Sequence, residues 1–267
     1  QNSIIVSTES KPKTKEIELN LKKADSGTIV KSIVSSYQLG YNYLTLKFNP
    51  TCLNHKTGQE IPTTKVIEGT CSQLIGFEIV EQIENCIHIK DVTDNSINEF
   101  NNILRRTFLL LNSFANESHQ FLKSKKCEDL HQKHIQIRRY TNYCQRYLNI
   151  FGYEDKTTLY TELLFNLEEI SRTYRFITKE HVKLKPQTLK MLKKTILLQE
   201  DYYKLFYKYS TKKTSDIIKE RIDIFNQINT ISKTLPKQDL IFVQRLPNIL
   251  NAILSLINTT IAINFKK

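Results

Sequence analysis

The feature that most constrains this chain is a change of hydrophobic period near Thr93. Upstream of it the apolar residues come in short runs. Ser3–Ser7 and Glu16–Leu21 have the composition of strands, and Tyr43–Phe48 alternates with period two. Between them Ile29, Ile33, Val34 and Tyr37 recur at helical spacing until Gly40 stops the run. Pro50, Gly58 and Pro62 mark a loop, a second helix is predicted over Thr63–Leu74, and Phe77–Ile83 with Cys86–Val92 reads as a hairpin joined near Glu84–Asn85. Residues 16–92 therefore predict a small α+β domain.

Downstream of Thr93 every apolar pattern has a helical period. Ile97, Phe100, Leu104, Leu111, Phe114 and Phe121 follow three-four spacing in a heptad frame completed by Thr107 and Ser118, which predicts one narrow apolar seam. Thr93 or Asp94 is placed to cap that helix. Further helices are predicted at about 129–151, 155–180, 186–210, 213–233 and 238–264, punctuated by Gly152, Pro186, Thr211–Lys213 and Pro236. The fold class expected is thus an α+β N-terminal segment followed by a mainly α domain over 93–267. Six helices with short connections imply an antiparallel bundle or two three-helix bundles in tandem.

Composition sets limits on what such a chain does. With 40% hydrophobic and 25% charged residues in a chain of 267, a packed core is expected and disorder is excluded. The net charge of +12 makes polyanions such as DNA, RNA or anionic lipid plausible partners. A Lys-, Asn- and Ile-rich usage without Trp is equally the imprint of an AT-rich genome. Five cysteines without a C-x-x-C pair suggest neither a disulfide framework nor a zinc site, and fit free thiols in a reducing cytoplasm. The most apolar stretch, Ile249 to Ile263, is interrupted by Asn251, Ser255, Asn258, Thr259 and Thr260, so no membrane span is expected. The chain opens on Gln1 without a signal peptide, which suggests a natural protein that extends further upstream.

The order GTIVKSIVSSYQLGYNYLTLKF, CSQLIGFEIVEQIENCIHIKDV and INEFNNILRRTFLLL resembles the archaeal relatives of the phosphate uptake regulator PhoU. Leu74–Val80 (LIGFEIV) followed by Leu104–Phe108 (LRRTF) is the most specific part, and NYCQRYLNIFGY with LLFNLEEISRTYRFI is similar to the family's second and third helices. The resemblance implies a PhoU-like helical domain built as two three-helix bundles. It also implies an AbrB-like DNA-binding domain at the N-terminus, of which residues 1–15 look like a last strand and basic linker. As partners it implies a phosphate-transporter ATPase subunit or a signalling protein, and a homodimer is expected.

Members of that family bind multinuclear iron or zinc clusters through acidic i, i+4 pairs. Here the pattern is largely lost: Thr141, Asn142 and Gln145 stand in the first motif, Arg172 follows Glu168, and Gln244 and Asn248 stand where acids belong. Neutral amides do little to offset a multivalent cation, so a cluster is disfavoured and no cofactor is expected. Glu168, Glu220 and Asp223 are the remaining candidate metal ligands. From the residues alone, Arg138, Arg139, Arg146, Arg172 and Arg175 are candidates for an anion site if they collect on one side of the bundle; otherwise they form a solvated basic face. His131 and His134 with Cys127 and Glu128 offer metal-ligand spacing, or are partly exposed helix polar groups. Tyr202–Lys213 interleaves tyrosine and lysine as single-stranded nucleic-acid binders do, but on an amphipathic helix Tyr203, Phe206 and Tyr209 read as core. There is no nucleophile elbow, phosphate loop, dinucleotide fingerprint or H-E-x-x-H. The function expected is a non-enzymatic regulator of phosphate uptake that acts through a bundle face. The alternative is a DNA-binding transcriptional regulator of which this chain is the sensing and oligomerisation part.

Overall fold

The computed structural model describes residues 14–93, 97–124, 130–179 and 184–265. They form two compact units. One consists of residues 14–93 with Arg146–Gly152, and the other of residues 97–145 and 153–265. The proposed remnant of an AbrB-like domain falls almost wholly outside the described residues.

The first unit is α+β. Strand β1 (Glu16–Asn20), helix α1 (Ser26–Gln38) and strand β2 (Tyr43–Lys47) form a parallel crossover unit. A short hairpin, β3 (Thr51–Leu53) and β4 (Glu60–Pro62), leads into α2 (Thr63–Cys71), followed by β5 (Phe77–Ile83) and β6 (Cys86–Asp91). The four-stranded sheet has the order β1-β2-β6-β5. Alternation fixes its inward side: Ile17 and Leu19 pair with Leu44 and Leu46, and these with Ile89 and Ile87. Ile29, Ile33 and Tyr37 from α1 and Ile67 and Cys71 from α2 complete that core. Asp25 caps α1 by accepting from the Thr28 N–H at 2.7 Å. Both sheet edges carry glutamates, Glu16 and Glu18 on β1 and Glu78 and Glu81 on β5, so strand pairing between two copies would bring like charges together.

The β3–β4 hairpin occupies a segment read from sequence as loop. Its strands have three residues each, too few to show a period. The signal that identifies it is the turn between them, where Asn54 accepts from the Lys56 and Thr57 N–H groups and Gly58 has φ +69°.

Asp91 stands at an inward position of β6, in line with Ile87 and Ile89. Its side chain is 2% exposed, and Arg146, fully buried, meets it at 2.6 Å. The Arg146 guanidinium also donates to the Tyr37 carbonyl at 2.6 Å and lies over the Tyr37 and Phe77 rings. Asn149 donates to the Gln38 carbonyl at 2.8 Å, so two side chains satisfy carbonyls at the C-terminus of α1. Two glycines admit this packing. Gly40 (φ +85°) would drive a Cβ to 2.6 Å from Ile150, and Gly76 (φ +87°) would drive one to 2.2 Å from Thr93.

The second unit is helical. It contains α3 (Ile97–Ser124), most of α4 (Leu130–Phe151), α5 (Thr157–Lys179), α6 (Pro186–Tyr207), α7 (Thr211–Ser232), α8 (Lys237–Val243) and α9 (Leu246–Ile263). Helix α5 packs on α3 and α9, while α6 packs on α3, α7 and α9. The buried face of α3 is wider than the predicted seam, because Ile103, Phe108, Ala115 and Leu122 are buried beside Leu104, Leu111 and Phe114. Thr107 and Ser118 are fully buried within that face and bond back to the carbonyls of Ile103 and Phe114.

The single helix expected over 238–264 is two helices. Pro247 lacks an N–H, and the turn at Gln244–Arg245 ends α8 and starts α9 with proline in its first turn. The stretch Lys237–Ile263 is long and apolar enough to cross a membrane by length and composition, but half of its most apolar window is buried within the unit.

Candidate anion site

Helices α4 and α5 are joined by a buried hydrogen bond between His134 Nδ1 and Ser171 Oγ, at 2.9 Å. Helical spacing builds a cluster around that contact. Arg138 lies one turn from His134, Arg175 one turn from Ser171, and Arg172 one turn from Glu168. Glu168 Oε1 lies 3.5 Å from Arg138 Nε and 3.3 Å from Arg172, which also reaches Glu169 at 3.0 Å. The Arg138 contact is at ion-pair range without a directed hydrogen bond. The Nε atoms of both Arg138 and Arg175 are buried with no hydrogen-bond partner. Among the described residues Arg175 has no carboxylate partner.

His134 is 2% exposed. Burial lowers its pKa to about 3, and the cations of Arg175, Arg138 and Arg172 add to the effect. The imidazole is therefore neutral at physiological pH. The site consists of three fixed cations, two carboxylates and one neutral ring, an arrangement able to hold an anion.

The five arginines expected in an anion site are not all brought together. Arg138, Arg172 and Arg175 converge. Arg146 does not belong with them, because it is fully buried in the α+β unit, where it donates to Asp91 and to the Tyr37 carbonyl. Arg139 is exposed; one residue on from Arg138, it is turned about 100° around the α-helix axis.

The candidate metal ligands do not assemble either. Glu168 is held by Arg138 and Arg172. On α7, Asp223 accepts from Gln227 and faces Lys194 at 4.0 Å, while Glu220 is exposed and lines a cleft with Asp201, Lys204, Lys213 and Asp216. Among the described residues no group of three His, Cys, Asp or Glu side chains is placed to hold a metal ion. Cys127 and Glu128 lie outside the described residues, and His134 is a buried partner of Ser171 while His131 is exposed.

In the basic-aromatic stretch the rings serve packing. Tyr202 and Leu205 are buried, one position earlier than the register read from sequence, and Phe108 contacts Tyr202, Tyr203, Phe206 and Tyr207. A small cluster on the solvent side of the sheet was not read from sequence. His88 Nδ1 is hydrogen-bonded with Thr45 Oγ1 (3.1 Å), and Cys86 Sγ lies 3.7 Å and Glu81 3.8 Å from its Nε2. The signal for it is the i, i+2 spacing of Cys86 and His88 in a strand, which puts both on one face.

Comparisons with protein-family models, with curated proteins and with solved structures returned no match.

Proposed function

We propose that this chain is a non-enzymatic regulatory protein that works by binding, with the helical unit as its working part and phosphate uptake as its setting. The observation that carries this reading is the Arg138, Arg172 and Arg175 cluster around His134. An imidazole with a pKa of about 3 is a poor proton carrier at neutral pH, whereas the cations beside it suit an anion or an acidic partner surface. The setting comes from the resemblance to the PhoU family, whose α+β segment and two three-helix bundles are in keeping with the order of elements here. The partner proposed is a transporter ATPase subunit or a signalling protein in the cytoplasm. A bundle face that binds one state of that partner more tightly would shift its equilibrium by the difference in affinity.

A second reading is favoured by the charge distribution. Residues 14–93 carry eight Lys and Arg against nine Asp and Glu, whereas residues 97–267 carry 29 against 16. So concentrated an excess suits a polyanion, as in a DNA-binding transcriptional regulator. Affinity capture of the native-length protein from its own cells, with and without nuclease, separates the two. Nuclease-resistant recovery of a phosphate-transporter subunit supports the regulator of uptake. Recovery of discrete promoter DNA without a transporter component overturns it in favour of the second reading.

A further inference from the structure

We propose that the face shared by α4 and α5 binds one compact oxyanion of the phosphate type, held by the guanidinium groups of Arg138, Arg172 and Arg175 beside His134. The inference deepens the proposed function and takes from it only the choice of working face.

Two of the three guanidinium groups have an N–H buried without a partner. Such donors are costly unless an acceptor reaches them, and an oxyanion supplies several acceptors at once. Arg175 has the stronger claim, since no described carboxylate neutralises it. Ser171 fixes the imidazole of His134 through Nδ1, so the ring stands in one orientation beside these donors. Planar guanidinium forks match the oxygens of a tetrahedral anion, which an ammonium group does not do in the same directional way.

The two carboxylates set the size of the ligand. Glu168 and Glu169 lie within the same face, so an extended polyanion crossing it meets negative charge on both. A single oxyanion resting chiefly on Arg175 meets only Glu168, and only where it reaches Arg138. Glu168 also acts as an internal competitor, because it occupies Arg172 and lies at ion-pair range from Arg138. The positive excess of residues 97–267 raises the local concentration of such an anion.

The test is calorimetric titration of the full chain with inorganic phosphate at constant ionic strength. Saturable binding with one site per chain is expected. Arg175→Ala and Arg138→Ala should each weaken it by roughly tenfold, the loss expected for a charge-assisted hydrogen bond. Arg175→Lys keeps the charge without the fork and should fall between wild type and Arg175→Ala. Glu168→Gln should tighten binding by releasing the two arginines, an outcome that a purely structural ion pair does not give. Thermal melts of each variant establish that it is folded. The inference is overturned by no saturable binding at millimolar phosphate, by arginine variants that bind like wild type, or by binding of a phosphoserine peptide where inorganic phosphate fails. Phosphate binding without a transporter partner upholds the site and removes the proposed function; transporter capture without phosphate binding removes the site.

Discussion

The two units place their charge in opposite ways. The α+β unit is nearly neutral over residues 14–93, yet it buries a complete ion pair, Arg146 with Asp91. The helical unit carries the whole positive excess, yet the ion pairs of its α4–α5 cluster stay half-exposed, and its interior polarity comes largely from uncharged groups. Thr107, Ser118 and Thr195 bond to carbonyls of their own helices, Tyr174 donates to Gln199 at 2.9 Å, and Tyr202 bonds with Thr260. The buried acid Asp239 accepts from the Lys185 N–H and the Thr188 hydroxyl. The difference follows from secondary structure. A strand spends its backbone groups in the ladder, so an inward acid draws donors from elsewhere, here Arg146 and Thr93, whereas a helix can satisfy an inward hydroxyl from its own backbone. Net charge therefore says little about where charge governs stability.

The comparison breaks first at Arg146. Arg146→Ala leaves Asp91 buried without its cation, held only by the Thr93 N–H and hydroxyl, and should cost about 3–5 kcal/mol, the range for breaking a buried pair. Equilibrium urea unfolding measures it, and a loss under about 1 kcal/mol would make the two units alike. A smaller effect is expected for the helical unit in acid. The pKa of His134 is lowered to about 3 from an ordinary 6.5, so the unfolded chain takes up the proton first. Stability is complete above about pH 6.5 and declines as pH falls towards 3, by at most about 1.4 kcal/mol per pH unit. Urea unfolding at pH 7 and pH 5 should differ by up to about 2 kcal/mol from this group, and His134→Gln should flatten the dependence.

Smaller again is the interior tyrosine. Tyr174→Phe leaves Gln199 Oε1 without its donor and should cost about 1–2 kcal/mol, while adding Gln199→Leu should recover part of that by removing the stranded acceptor. Gln199 also donates to Asn112 Oδ1 at 2.8 Å, so failure of the double variant to recover would assign the cost to that second bond or to packing. The smallest effect belongs to the half-exposed cluster. Glu168→Ala breaks its contacts with Arg138 and Arg172 and should change stability by less than about 1 kcal/mol. A large loss there would mean that these pairs serve the fold.

Much of the fold was legible because period reports burial. Leu44 and Leu46 and Ile87 and Ile89 are buried as their spacing implies, and of the Leu159, Leu163, Leu167, Ile170, Tyr174 and Ile177 line of α5 all but the half-buried Leu159 are. The misses have local causes. Pro247 breaks a helix whose apolar spacing continues across it, and three-residue strands are too short to have a period. Of the candidate site, the arginines of α4 and α5 were legible by type and by turn. Their separation from Arg146 was not, since Arg146 and Asp91 lie 55 residues apart and neither has a pattern that names the other. The available clue was Asp91 itself, an acid at a position where alternation calls for an apolar side chain. The role of Ser171 as partner of His134 leaves no trace in either helix alone.

Residues 146–152 belong to a unit whose other described residues end at Thr93. The α+β unit is thus discontinuous in sequence, and its final form waits on the order of synthesis. When residues 14–93 have left the ribosome, Asp91 has no cation and the Tyr37 carbonyl lacks the arginine that later donates to it. The nascent unit stays incomplete until α3 and most of α4 have been made. A fragment cut after Thr93 preserves that unfinished state permanently, so a boundary chosen from the change of period alone would divide this protein in the wrong place.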